Sequence, residues 1–188
     1  MLRVLLAAVL LALMAGCALL EPAATASRPA RETIETFRIE GRIAVRRAKE
    51  SFSAGIDWRH DAQSDEIVIS GPLGQGLARL TSGGGAALLE TADQKRYVAA
   101  DLDGLSEQVF GTQLPVSGLG RWVLGRSAFG GGARLDEAGR LAGLSEQGWV
   151  IEYLRYESEA RDALPELLQA RREDVEVRLK IDRWSLAR

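Results

Sequence analysis

The 188-residue sequence has one cysteine, Cys17, and one histidine, His60. A single cysteine excludes an internal disulfide framework and a thiolate metal cluster, and a single histidine excludes a paired-histidine zinc site. Beyond residue 20 no apolar run approaches the eighteen or so residues that a membrane span needs. There is no excess of positive charge: 24 Lys and Arg face 26 Asp and Glu, a net of −2. Without a basic patch or polybasic block, neither nucleic acid nor an anionic membrane surface is an expected partner. A catalytic Ser–His pair would have to use His60, which the pattern places in a polar turn, and no Gly-x-Ser-x-Gly elbow is present. His60 therefore reads as a solvated turn residue. Glu66, Asp101, Asp103 and Glu107 fall at turns and helix starts, where carboxylates cap and solvate. The glycine runs 83–85 and 130–132 lack the Lys-Ser or Lys-Thr that completes a phosphate cradle, so they read as a hairpin and a hinge. No cofactor, no metal and no catalytic residue is expected.

What the sequence does have begins at its N-terminus. Met1-Leu2-Arg3 opens with a positive charge, Val4 to Gly16 is uncharged and mostly apolar, and Leu13-Met14-Ala15-Gly16 leads into Cys17. That is the layout of a secretory signal with small residues before the cut. The cysteine directly after them makes it look like a lipobox, in which the cysteine sulfur receives a diacylglycerol and the new amine is acylated. The alternative is an ordinary signal peptide or a short anchor with a buried free cysteine. On the lipobox reading residues 1–16 are removed, leaving about 170 residues, enough for one domain with a real core. Two acyl chains or more anchor such a body firmly. Residues 17–30, rich in alanine with two prolines, form a flexible tether. The folded domain is 31–188, with a turn of helix at 31–36.

From residue 37 the pattern has period two. Phe37, Ile39, Gly41, Ile43 and Val45 share one face, with Arg38, Glu40, Arg42 and Arg46 on the other. Phe52, Ala54, Ile56 and Trp58 repeat this. Further strands are expected over 66–70, 77–81, 86–91, 96–100, 134–136, 141–145, 148–156 and 166–172, the leucines of the last also suiting a helix. The last and clearest carries Val175, Val177, Leu179 and Ile181. Trp184 breaks its parity, which calls for a bulge. Helical spacing appears over Asp103–Phe110 and again from Pro115, with Val116, Leu119, Trp122 and Val123 as its stripe and Gly125 as its stop. Close strands with tight turns make an antiparallel meander. The expected fold is mainly β: about eleven strands in one antiparallel sheet, curling around two or three short helices.

Two features suit a binding protein. Trp58, Trp122 and Trp149 come from strands and a helix, with Tyr153 on the face of Trp149. They are either plain core or the aromatic walls of a cavity for a greasy ligand. Leu73 stands in Gly71-Pro72-Leu73-Gly74, a loop by its glycines and proline. It either folds back to plug the barrel or projects as an apolar finger.

Six pieces of sequence, in order, resemble the LolB family: Gly41-Arg42-Ile43-Ala44-Val45; Trp58; Gly71-Pro72-Leu73-Gly74; Leu114-Pro115-x6-Trp122-x2-Gly125; Gly148-Trp149-x3-Tyr153; and Leu179-Lys180-Ile181-Asp182-Arg183-Trp184. The resemblance spans nearly the whole mature domain. It implies an incomplete antiparallel β-barrel of eleven strands, with a helical lid over an apolar cavity. It also implies an outer-membrane lipoprotein, facing the periplasm, that accepts lipoproteins from a periplasmic LolA-like carrier. Their acyl chains would enter the cavity, and they would then be inserted into the outer membrane. By position Leu73 matches the protruding apolar residue that insertion requires. The expected form is a monomer with Cys17 lipidated and no bond made or broken. The competing reading is a structural or assembly lipoprotein with a filled barrel. If the carrier's rim is acidic, Arg38, Arg42 and Arg46 offer a docking row.

Overall fold

The computed structural model describes residues 29–111 and 116–186. Cys17, the signal and most of the tether lie outside them.

The strands are β1 (Phe37–Arg47), β2 (Glu50–His60), β3 (Asp65–Ser70), β4 (Gly76–Gly83), β5 (Ala86–Thr91) and β6 (Arg96–Ala99), then β7 (Gly132–Leu135), β8 (Leu141–Glu146), β9 (Trp149–Tyr156), β10 (Pro165–Arg172) and β11 (Val175–Leu186). Two helices stand between the halves, α1 (Leu102–Phe110) and α2 (Val116–Val123). The eleven strands form one sheet in the order β6-β5-β4-β3-β2-β1-β11-β10-β9-β8-β7. Neighbours run antiparallel, and β6 and β7 are left as edges, so the barrel is not closed. The alternation on β1 and β11 explains the curl: one face is apolar and must be covered, the other is charged and wet.

The parity break at Trp184 is a bulge. Gly41 pairs with Ile181, yet Glu40 pairs with Arg183, so Asp182 is the extra residue. The slip returns Trp184 to the inner face opposite Ile39. Gly41 is required there, since a Cβ on it would lie 2.1 Å from the Lys180 carbonyl oxygen.

α1 starts where expected, within a residue. The Asp101 carboxylate accepts the Gly104 N–H at 2.7 Å, and Gly111 ends the helix in the left-handed region. α2 stops at Gly125, with φ +67°, which lets the Arg126 N–H reach the Arg121 carbonyl at 2.9 Å. Arg31–Thr33 makes a 3-10 turn, and Ile34 after it is buried.

Two expectations are corrected. His60 is not a solvated turn residue: β2 continues through it, opposite Phe37, so its parity turns the ring inward. The ring stacks on Phe37 with centroids 4.8 Å apart, and Nδ1 lies 2.7 Å from Asp65 Oδ1. Glycines 130–132 are not a hinge: Gly131 packs so close to β8 that a Cβ would sit 2.0 Å from the Ser145 carbonyl oxygen. Two of the three arginines of the expected docking row are ion-paired within the sheet. Arg38 holds Asp57 through two hydrogen bonds of 2.8 and 2.6 Å, and Arg46 holds Glu176 at 2.9 Å. The other glycine run, 83–85, does turn the β4–β5 hairpin, all three residues having positive φ.

Candidate functional site

The inner face of the sheet is filled at one end and hollow at the other. Phe37 and Ile39 of β1 are 2% and 0% exposed, whereas Ile43 and Val45, on the same face, are only partly buried. Inward apolar residues that keep accessible surface face a cavity. That cavity has a volume of about 630 Å³, within the ordinary range for ligand pockets. Ile43, Ile56, Trp58, Ile67, Ile69 and Leu179 give it a sheet wall, and Leu105 and Val109 of α1 with Val116 and Leu119 of α2 give it a lid.

The strand register shows which way the cavity runs. At one end Phe37 pairs with His60; at the other, the rim, Arg47 pairs with Glu50 on β2 and Val175 on β11. Trp58 and Ile67, paired to each other, stand toward the first end. Arg47, Glu50, Ser51, Phe52 and Val175 line the cavity at the rim.

Leu73 lies toward the same end of the sheet. β3 runs from Asp65, opposite His60, to Ser70, opposite Gly55, so the β3–β4 loop turns toward the β1–β2 hairpin end. The Gly71 N–H donates to the Gln75 carbonyl at 2.8 Å and the Gly74 N–H to the Gly71 carbonyl at 2.9 Å. The Gln75 side chain accepts the Leu73 N–H at 3.1 Å, and Gly74 takes φ +80°. This braced loop leaves Leu73 94% exposed, so it is not a plug.

The four aromatic residues do not share one role. Trp58 and Trp149 line the cavity. Trp122, fully buried, and Tyr153, 7% exposed, are core residues behind it. The Tyr153 hydroxyl donates to the Trp122 carbonyl at 3.0 Å, and burial pushes that hydroxyl's pKa well up. Periodicity puts all four on inner faces and cannot separate wall from filling.

Trp122 is fixed by Glu146, a residue the sequence reading missed. Glu146 ends β8 on the parity of Leu144 and is 3% exposed. Its carboxylate accepts from Trp122 Nε1 at 2.7 Å, from the Ser127 hydroxyl, and from the backbone N–H groups of Ala128, Phe129 and Gly131 at 3.0, 3.2 and 3.1 Å. Burial pushes the carboxyl pKa up, but the bonds from Ser127, Trp122, Gly131 and Ala128 outweigh it and hold it at about 2. An ionised, fully bonded carboxylate thus clamps the C-terminal end of α2 and the following loop to the sheet. The signal was there in Glu146 sharing Leu144's face. The other missed residues are Phe52, on the apolar parity of β2, and Gln75.

The unclosed eleven-stranded sheet with its two helices is a fold seen in other proteins. Two solved structures show the likeness. A putative outer membrane lipoprotein-sorting protein domain from Vibrio parahaemolyticus matches with a TM-score of 0.52 at 8% identity, covering 81% of this chain and 85% of that one. A LolA superfamily protein from Nitrosomonas europaea matches with a TM-score of 0.51 at 9% identity, covering 85% and 90%. Within that class the sequence is more specific. Residues 35–184 match the family Outer membrane lipoprotein LolB, and the chain belongs to it. Similar relatives are the outer-membrane lipoprotein LolB of Azoarcus sp. (strain BH72), 39% identical over 96% of this chain and 94% of its own length, and that of Dechloromonas aromatica (strain RCB), 38% identical over 92% of each.

Proposed function

We propose that this protein is a lipoprotein receptor of the outer membrane, held there by lipid on Cys17 and facing the periplasm. It accepts lipoproteins from a LolA-like carrier by taking acyl chain into the cavity, and releases them to the bilayer at the rim, on the end of the sheet to which the Leu73 loop turns. The observation that carries this reading is the apolar hollow of about 630 Å³ under the lid. A methylene needs about the volume of a liquid water, ~30 Å³, so the hollow holds roughly 20 of them. That is about one acyl chain. Covering a C16 chain removes about 0.8 kcal/mol per methylene of exposure, roughly 12 kcal/mol in all. A filled barrel offers no such exchange, which disfavours a purely structural lipoprotein. No step makes or breaks a bond; direction comes from relative affinity, and each tenfold gain over the carrier needs only about 1.4 kcal/mol.

The test is uptake of an apolar fluorescent probe by the mature chain carrying Cys17→Ala, with Leu119→Trp as a plugged control. Leu119 is a partly buried lid residue on the cavity, so a larger ring there has a hollow to enter. The parent should take up the probe and the plugged variant should not, while the plugged variant melts no lower than the parent. No uptake by the parent would overturn the receptor reading.

A further inference from the structure

We propose that the rim end of the cavity is a head-group subsite: it holds the ester or amide linkage at the top of an acyl chain while the hydrocarbon runs inward toward Trp58. This rests on the cavity being an acyl-chain receptor and adds a direction and a second chemistry to it.

The polar side chains on the cavity wall are not scattered. The charged and hydroxyl-bearing residues are Arg47, Glu50, Ser51 and Ser106, and the indole N–H groups are those of Trp58 and of Trp149, whose Nε1 is buried without a partner among the described residues. Ser106 donates to the Asp103 carbonyl at 2.7 Å and is satisfied within α1. The other three surround the tip of the β1–β2 hairpin, where Arg47 pairs with Glu50 and Arg46 with Ser51. Phe52 follows, 47% exposed and on the wall, as an aromatic step between this polar rim and the apolar interior. At the far end the wall is Trp58, Ile67, Leu80 and Leu89. The one N–H that Trp58 brings there is already given to Asp65 at 2.8 Å.

An acyl linkage carries a carbonyl that water would otherwise bond, and burying it without a donor is unfavourable. Placed head-inward, it would meet no donor beside Trp58. At the rim it meets the Arg47 guanidinium, which shares the inner parity of Val45, lies 4.0 Å from Asp174 and belongs to an exposed residue that stays wet. The wall therefore selects one orientation, methyl end deep and head at the mouth. That mouth opens toward the end of the sheet to which the Leu73 loop turns, so the linkage waits on the side where the chain would leave.

The mature chain with Cys17→Ala tests this with two competitors for a cavity-bound apolar dye, glycerol monopalmitate and hexadecane. The variant Arg47→Ala should weaken monopalmitate about tenfold and hexadecane less than twofold, with melting unchanged. Palmitoyl chains brominated at the methyl end should quench fluorescence that disappears in Trp58→Phe; chains brominated beside the ester should not. Equal effects on both competitors, or stronger Trp58 quenching from the ester-side bromine, would overturn the subsite and leave the receptor reading standing. If neither competitor binds even the parent chain, both readings fall.

Discussion

Leu73 and Glu146 are opposites at the scale of single residues. One is apolar and almost wholly in water; the other is charged and almost wholly out of it. Because Leu73 is 94% exposed, Leu73→Glu removes no packing and should shift the melting temperature by no more than about 2 °C. If Leu73 is the membrane finger, the variant should still accept lipoprotein from the carrier yet leave it undelivered to vesicles; a sedimentation assay reads both. Glu146→Gln places an amide among donors aimed at a carboxylate and should cost about 3 kcal/mol at neutral pH by denaturant unfolding. The sign follows from the low pKa of the folded state. The native carboxyl sits at about 2 against an ordinary 4.5, so its contribution is complete above about pH 4.5 and fades as pH falls toward 2. The gap between parent and variant should narrow over that window. An unchanging gap would mean Glu146 acts by shape alone.

The elements were legible to the degree that their periodicity was clean. β1 and β2 alternate without interruption, β11 does so as far as Ile181, and even the bulge beyond it could be read from Trp184 falling out of phase. β10 was less clear, since its leucines suit a helix as well; pairing with β9 and β11 makes it a strand. What stayed hidden depends on contacts between distant segments. A carboxylate on an inner face looks like an error until five donors from α2 and its following loop meet it, and no local pattern reports that. A hollow is likewise invisible: Ile43 and Ile39 differ by nothing in sequence, only by what stands opposite them. Gly41 shows the same dependence. Adding a methyl there drives it into the backbone of β11, so Gly41→Ala should destabilise by about 3 kcal/mol, measured by chemical denaturation. Gly76, with no atom near its missing Cβ, is the matched control and should change little.

For the molecule as a whole, the hollow is a standing defect in the core, and filling it should make the fold more robust. A ligand at a hundred times its Kd adds about 2.7 kcal/mol to a folded state that alone binds it. For a domain of this size that is a rise of roughly 5–10 °C in melting temperature. Calorimetry with and without a saturating single-chain lipid reads it directly, and the plugged Leu119→Trp variant should show no rise.

The place of β1 beside β11 has a consequence in time. The first strand made has two neighbours, β2 at once and β11 only after every other strand exists. Until then the sheet is two separate ribbons, β6 to β1 and β7 to β10, each with an open apolar face. The pairing that joins them spans nearly the whole domain in sequence, the kind of late, long-range closure that makes folding slow. A chain that emerges through a narrow passage from its N-terminus therefore cannot lock shut on the way. It stays threadable until its final strand is through, and only then becomes a vessel.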